Sequence, residues 1–385
     1  MIQTEELYRV ISKNVTDLLG IPHSYFSPFG TTKEENLYKS YDGYHHLLKK
    51  VFNLLYTSSI LYYDQEPILP DNDLPSVSKH ITSHLSKHII FANSEHSTFK
   101  NSLVKYYDFQ DWYYFFHGIA SLDWFRSYQH IQPTLPFQYA NRKTFSCLNH
   151  LVTADRSYRL ALVSDLIDRK LLPHGHVSMS LMNNGVTWED EINRNKTKLS
   201  EDQKKRISKV LSNMSTPLTV DVEPRGTLSA SISDSIFQSD WNIVPETIFY
   251  YEKLHLTEKI FKPIVAGRPF ILAGAANNLH YLKSYGFKTF SDYINETYDS
   301  ESDNEKRLGL IVDEVEKICN MSKKHQQEIM LDLQDIVHFN HSWFYYDFKH
   351  IIVDEMLKNL KTCLDNLDIP HDSLNWRTIY KLLTQ

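Results

Sequence analysis

Three cysteines in 385 residues, Cys147, Cys319 and Cys363, are too few and too far apart for a disulfide framework or a Cys-rich zinc site. No run of 18 apolar residues occurs, so no membrane span is expected. The opening stretch, MIQTEELYRVISKNVTDLL, is amphipathic and mixed in charge. It lacks the basic start, apolar centre and small-residue cleavage site of a signal peptide, and a cytoplasmic location is the expectation. Neither the GxGxxG fingerprint nor a GxxxxGK phosphate loop is present, which weakens the dehydrogenase and NTPase readings. Excess positive charge is missing too: a net charge of −6 does not mark a general polyanion binder, although a local basic groove stays open. Internal repeats, low-complexity tracts and persistent heptads are absent.

What is there is the composition of a globular protein, 42% hydrophobic and 13% aromatic, with Tyr and Phe plentiful. A chain of this length exceeds one ordinary core, so two domains are expected, an α/β pair of Rossmann-like halves. Two prolines in 133–141 mark a linker. The expected division is 1–138, 139–337 and a helical tail over 338–385.

Residues 241–290 organise the rest. Trp241 to Val244 reads as a short apolar strand, with Glu246 just beyond Pro245. Thr257 is a good N-cap, behind which Ile260, Phe261, Ile264 and Val265 recur at helical spacing until Gly267. Pro263 conflicts with that helix and predicts a kink or split, since it removes a hydrogen bond at a cost of roughly 3 kcal/mol. Phe270 to Ala273 is a continuous apolar run, the mark of a strand buried on both faces, and a second helix over 277–285 stops at Gly286. Strand, helix, strand, helix is half of a doubly wound domain, whose ligands sit beyond the carboxyl ends of the strands. Glu246, Thr257, Glu258 and Lys259 fall on that rim. Glu258 has a second reading, in which it only complements the helix dipole, worth about 0.3–1 kcal/mol.

HLTEKIFKPIVAGRPFILAG, followed by LKSYGFKTFSDYINETYD, resembles the donor-binding segment of GT-B glycosyltransferases, especially those encoded by tailed phages. More distantly it is similar to the fucosyltransferase-type segment, in which Thr-Glu-Lys opens a helix and a Pro-containing strand follows. The resemblance covers about half of the chain. It implies two Rossmann-like domains facing a cleft, a C-terminal helix crossing back to the first domain, a nucleotide-sugar donor and no bound metal or other cofactor. The paired-Glu spacing of retaining GT-B enzymes is not reproduced, so inversion or retention stays open.

Within that frame, strand 59–63 ends in Asp64-Gln65-Glu66-Pro67, a string also similar to one in the phage proteins. Transfer needs a base for the acceptor's proton, and Asp64 and Glu66 are the candidates; the alternative is a solvated turn. The aromatic stretch 111–125 reads either as core or as a stacking surface for an acceptor, with His117 as a further catalytic candidate. His80, His84 and His88 share a helical face, read as polar surface in preference to a metal pair.

Strand 144–148 leads through Asn149 into a helix starting near Arg156, with Leu160, Val163, Leu166 and Ile167 on one face. Helix N-termini and arginines suit phosphate, and the pattern is similar to the phage enzymes. Asn149, Arg156 and Arg159 are therefore diphosphate candidates, with Lys259 and Lys262 supplying further charge; Arg159 reads equally as an exposed helix charge. Residues 183–217 read as a polar insertion with one surface helix.

The leading expectation is a glycosyltransferase moving a sugar from a nucleotide-diphosphate sugar to a hydroxyl, on a hydroxylated DNA base or a surface glycan. The alternatives are a non-catalytic nucleotide-sugar or glycan-binding protein, and a structural phage or host-interaction protein.

Overall fold

The computed structural model describes residues 124–366 except 184, 196 and 221–230, five short strands before them, and isolated positions at 118, 121–122 and 372–381. The chain divides into two compact units, 1–120 with 349–385 and 121–348. The amphipathic opening stretch, the histidines at 80, 84 and 88, and Glu66 and His117 lie outside the described residues.

The first unit contains a parallel sheet of β1 (Tyr25–Phe26), β2 (Ile60–Asp64), β3 (Ile89–Asn93) and β4 (Asp108–Asp111), in that spatial order. Asp64 is the last residue of β2, at the carboxyl edge of this sheet.

The second unit carries a sheet of β5 (Lys143–Leu148), β6 (Gly175–Ser178), β7 (Ser239–Pro245) and β8 (Phe270–Ala273). All pair in parallel, in the spatial order β8-β7-β5-β6. Every residue of β7 and β8 is buried, as expected where helices cover both faces. Chain order and spatial order part company between β5 and β7, so the winding reverses there. The segment 133–141 belongs to this unit, where the Thr134 carbonyl accepts from the buried guanidinium of Arg268.

Helix α1 (Tyr158–Asp168) is buried nearly all round, where the sequence suggested one apolar face. The reason is α2 (Glu201–Leu211), which places Ile207, Val210 and Leu211 in the core against α1. The polar region 183–217 is thus part of the core packing. Helix α3 (Glu258–Val265) runs unbroken through Pro263, so the helix is not split there. One missing bond in so short a helix is offset by burial of Ile260, Phe261, Pro263, Ile264 and Val265.

Helix α4 (Asn278–Ser284) is followed by α5 (Asn304–Asn320), α6 (Lys323–Asp332), α7 (Gln334–Tyr346) and α8 (Phe348–Asn366). The polar run 338–343, which breaks the hydrophobic pattern, lies inside α7. Its polar groups are used by a neighbouring loop: Asn340 bonds both backbone groups of Lys288, and Trp343 Nε1 donates to the Tyr285 carbonyl. No described helix is long and apolar enough to cross a membrane.

Gly267 ends α3 at φ +64°, and a Cβ there would meet Pro133, with the Pro133 Cα at 2.9 Å. Gly185 has φ +80° but open space around it. Gly267→Ala should therefore cost well over the roughly 1–2 kcal/mol of the left-handed backbone alone, and Gly185→Ala only about that. Thermal midpoints of the two variants check this; equal losses contradict the Pro133 contact.

Candidate functional site

Because β5 and β7 are parallel neighbours, their carboxyl ends lie side by side, and the reversal of winding leaves a crevice outside them. Asn149 and Glu246 are the first residues beyond the two strands. Helices α1 and α3 begin from the loops that follow, so both helix starts belong to this edge.

Glu246 is fully buried. Its carboxylate accepts from the Thr257 N–H at 3.1 Å, the Thr257 hydroxyl at 2.8 Å and the Thr247 N–H at 3.1 Å. Glu246 thereby ties the end of β7 to the N-cap of α3, and its oxygens are already engaged with the protein. Burial raises its pKa; Lys259 lowers it and Glu258 raises it further, with the Thr257 hydrogen bonds lowering it. Thr257 Oγ1 also receives the Lys259 ammonium at 2.9 Å, and Lys259 Nζ reaches Thr247 Oγ1 and Glu258 Oε1 at 3.2 Å each. Lys259 is held by three oxygens while its side chain stays 30% exposed. Lys262 lies one turn further along α3 and is half-buried.

The first turn of α1 grips the same edge. Tyr158 donates its hydroxyl to the Glu246 carbonyl at 2.5 Å, and Arg159 donates to the carbonyls of Leu151, Pro245 and Glu246, each at 2.9 Å. Arg159 is 3% exposed, which excludes the exposed-charge reading. Its guanidinium meets the chain's own carbonyls, where the sequence suggested a diphosphate. Arg156, in the short turn Ala154–Arg156, is half-buried; its backbone N–H donates to the Thr153 carbonyl at 3.2 Å, and its guanidinium forms no hydrogen bond or ion pair with a described residue.

Asn149 is buried; its Nδ2 donates to the Ser178 and Cys147 carbonyls, and its Oδ1 has no hydrogen-bond partner. Burial pushes the neighbouring Cys147 thiol up to about 12, so it is no nucleophile. Tyr158, Tyr250 and Glu191 were not anticipated. Tyr250 bonds Ser157 at 3.1 Å, and Glu191 accepts from the N–H of Ala154, which sits at φ 56°. Glu191 comes from a separate helix, Trp188–Ile192, and nothing local in the sequence signals that meeting.

The structure thus gathers Asn149, Arg156, Arg159, Glu246, Thr257, Glu258, Lys259 and Lys262 on two neighbouring strand-to-helix connections. Arg159, Glu246 and Thr257 brace the crevice. Arg156, Glu258 and Lys259 keep accessible surface, a pair of cations and a carboxylate suited to an anionic, hydroxylated ligand. Among the described residues no group of three or more His, Cys, Asp or Glu side chains converges as a metal site.

No family model matches the sequence, and no curated protein matches it. A solved structure of an alpha,alpha-trehalose 6-phosphate synthase from Burkholderia multivorans aligns over 88% of this chain and 78% of that chain, at 11% identity and a TM-score of 0.42. An overlap at that score and identity carries no conclusion about activity or ligand.

Two outcomes follow from the bracing. Arg159→Ala strands several buried carbonyls and should lower stability by about 3 kcal/mol, whereas Arg156→Ala should stay within about 0.5 kcal/mol. Similar losses in thermal denaturation would contradict this division of roles. Glu246, with its folded pKa raised, holds its proton to higher pH in the folded state than in the unfolded chain. Its contribution to stability is therefore lost as pH rises from the unfolded carboxyl's pKa through the folded value. Glu246→Gln lacks that loss, so the melting midpoint of the variant relative to the parent should climb across this window. A pH-independent difference would show that Glu246 titrates normally.

Proposed function

We propose that this crevice binds the diphosphate and sugar of a nucleotide-sugar donor, and that the protein is a GT-B type glycosyltransferase. One observation carries the reading: the carboxyl ends of β5 and β7 meet at the reversal of the sheet's winding, with Arg156 and Lys259 at the two helix starts that follow. A leaving nucleoside diphosphate gains negative charge as the glycosidic bond breaks, and positioned cations favour that change. Arg156 meets the diphosphate first, since its donors are unused by the described protein. Lys259 adds charge from a fixed position, Lys262 reinforces it, and Glu258 accepts from sugar or ribose hydroxyls.

In the reaction the acceptor's hydroxyl oxygen forms a bond to the donor's anomeric carbon. The bond from that carbon to the diphosphate oxygen breaks, and its electron pair leaves on the diphosphate. The acceptor's proton passes to a general base, for which Asp64 and Glu66 are our candidates, with His117 as a third. The acceptor is a hydroxyl on a modified DNA base or on a glycan. A DNA acceptor would show in a steep loss of affinity with added salt.

A panel of nucleotide sugars tested by thermal shift checks the donor site. A donor at about 100 times its Kd should stabilise the folded protein by about 2.7 kcal/mol. The shift should appear for at least one donor and vanish in Arg156→Ala and Glu258→Ala. No shift for any donor, or a shift that survives both substitutions, would overturn the assignment.

A further inference from the structure

Helix α4 and the loop after it line an open concavity of about 410 Å³ whose lining residues include none of those in the crevice. Leu279 and Ile294, both buried, supply apolar surface, and the rest of the wall is polar. Size and lining fit a small-molecule site.

The cavity's carboxylates are already shaped by the backbone. Asp299 accepts from the N–H groups of Leu279 and His280 at 2.8 and 2.9 Å, so the start of α4 is closed by the protein itself. Glu296 accepts from the Phe290 N–H at 2.7 Å and the Thr289 hydroxyl at 2.8 Å. Both keep lone pairs beyond the bonds they accept. The donors of the wall are less engaged. His280 and Lys283, one turn apart on α4, are exposed and form no side-chain hydrogen bond with a described residue. Asn295 uses Oδ1 to accept from the Thr297 N–H, which leaves its Nδ2 as a donor. Ser291 and Thr297 add hydroxyls.

Charge decides between two kinds of ligand. The two carboxylates, Asp299 and Glu296, outnumber the one lysine of the wall, Lys283, which disfavours a phosphate or carboxylate. A neutral ligand with many hydroxyls suits it better: each hydroxyl both donates and accepts, matching interleaved acceptors and donors, while its C–H face meets Leu279 and Ile294. We propose that this cavity is a saccharide-binding site for neutral sugar residues, separate from the donor crevice. It requires only the local structure around α4, and stands or falls independently of the transferase reading.

Saturation-transfer difference NMR on the full chain tests it, with methyl α-glucoside, methyl α-mannoside, methyl β-galactoside and N-acetylglucosamine as probes and inorganic phosphate as competitor. The expected result is a saturable signal for at least one glycoside, unaffected by phosphate. The signal should fall at least about fivefold in Lys283→Met and in Asn295→Asp, the latter keeping the Oδ1 acceptor while removing the Nδ2 donor, and persist in Arg156→Ala and Lys259→Ala. Unchanged thermal midpoints would show that the cavity variants are folded. The proposal is overturned by no saturable signal from any glycoside, by a signal lost in the crevice variants alone, or by displacement with phosphate.

Discussion

A single buried carboxylate carries the architecture of the second unit's functional edge. Glu246 leaves the end of β7 and captures both the backbone and the hydroxyl of Thr257, and so decides where α3 begins. From that start follow the position of Lys259, whose ammonium rests on Thr257 and Thr247, and the direction of Glu258. An ionised group with no solvent exposure is costly unless fully hydrogen-bonded, and the three donors from Thr247 and Thr257 with nearby Lys259 make Glu246 tolerable. The Glu246 carbonyl is held in turn by Tyr158 and Arg159, which fastens α1 to the same point.

Buried guanidinium groups recur as braces. Arg159 joins the β5 loop to the end of β7, Arg268 binds the carbonyls of Phe237, Thr134 and Gly267, and Arg307 binds those of Gly274, Phe249 and Glu301. Arg307 also lies over the Phe249 ring, which stacks on Tyr158 and meets Tyr250 edge-on. Loops that follow parallel strands leave carbonyls without ladder partners, and the planar, many-donor guanidinium satisfies several at once. The consequence is a division of roles: the most buried arginine of the crevice is structural, and Arg156 and Lys259 are the cations of this edge that keep accessible surface.

The strand-helix alternation over 239–286 was legible because apolar runs, an N-cap and stop glycines coincide there: Thr257 caps α3, Gly267 follows it at positive φ, and Gly286 follows α4. The rim position of Glu246 was legible from its place after Pro245, but its role was not, since the partner that claims its oxygens sits eleven residues away. Arg159 misled for the same reason. Two arginines three residues apart look alike in sequence, and only the path of the Pro245 and Glu246 carbonyls separates the brace from the half-buried Arg156. The polar run 338–343 sits within α7, where Asn340 and Trp343 serve the loop at 285–288 and leave the helix intact. Glu191 meets Ala154 through long-range packing that no local pattern records, and the cavity beside α4 forms where Asp299 folds back onto the start of that helix.

The proposed binding of a nucleoside diphosphate at the edge beyond β5 and β7 can be measured without an acceptor, by calorimetric titration of the full chain with nucleoside diphosphates and the matching monophosphates. At least one diphosphate should bind about tenfold or more tightly than its monophosphate, as expected if Arg156 and Lys259 meet the second phosphate. Equal affinity for the pair, or no binding by any diphosphate, would contradict it.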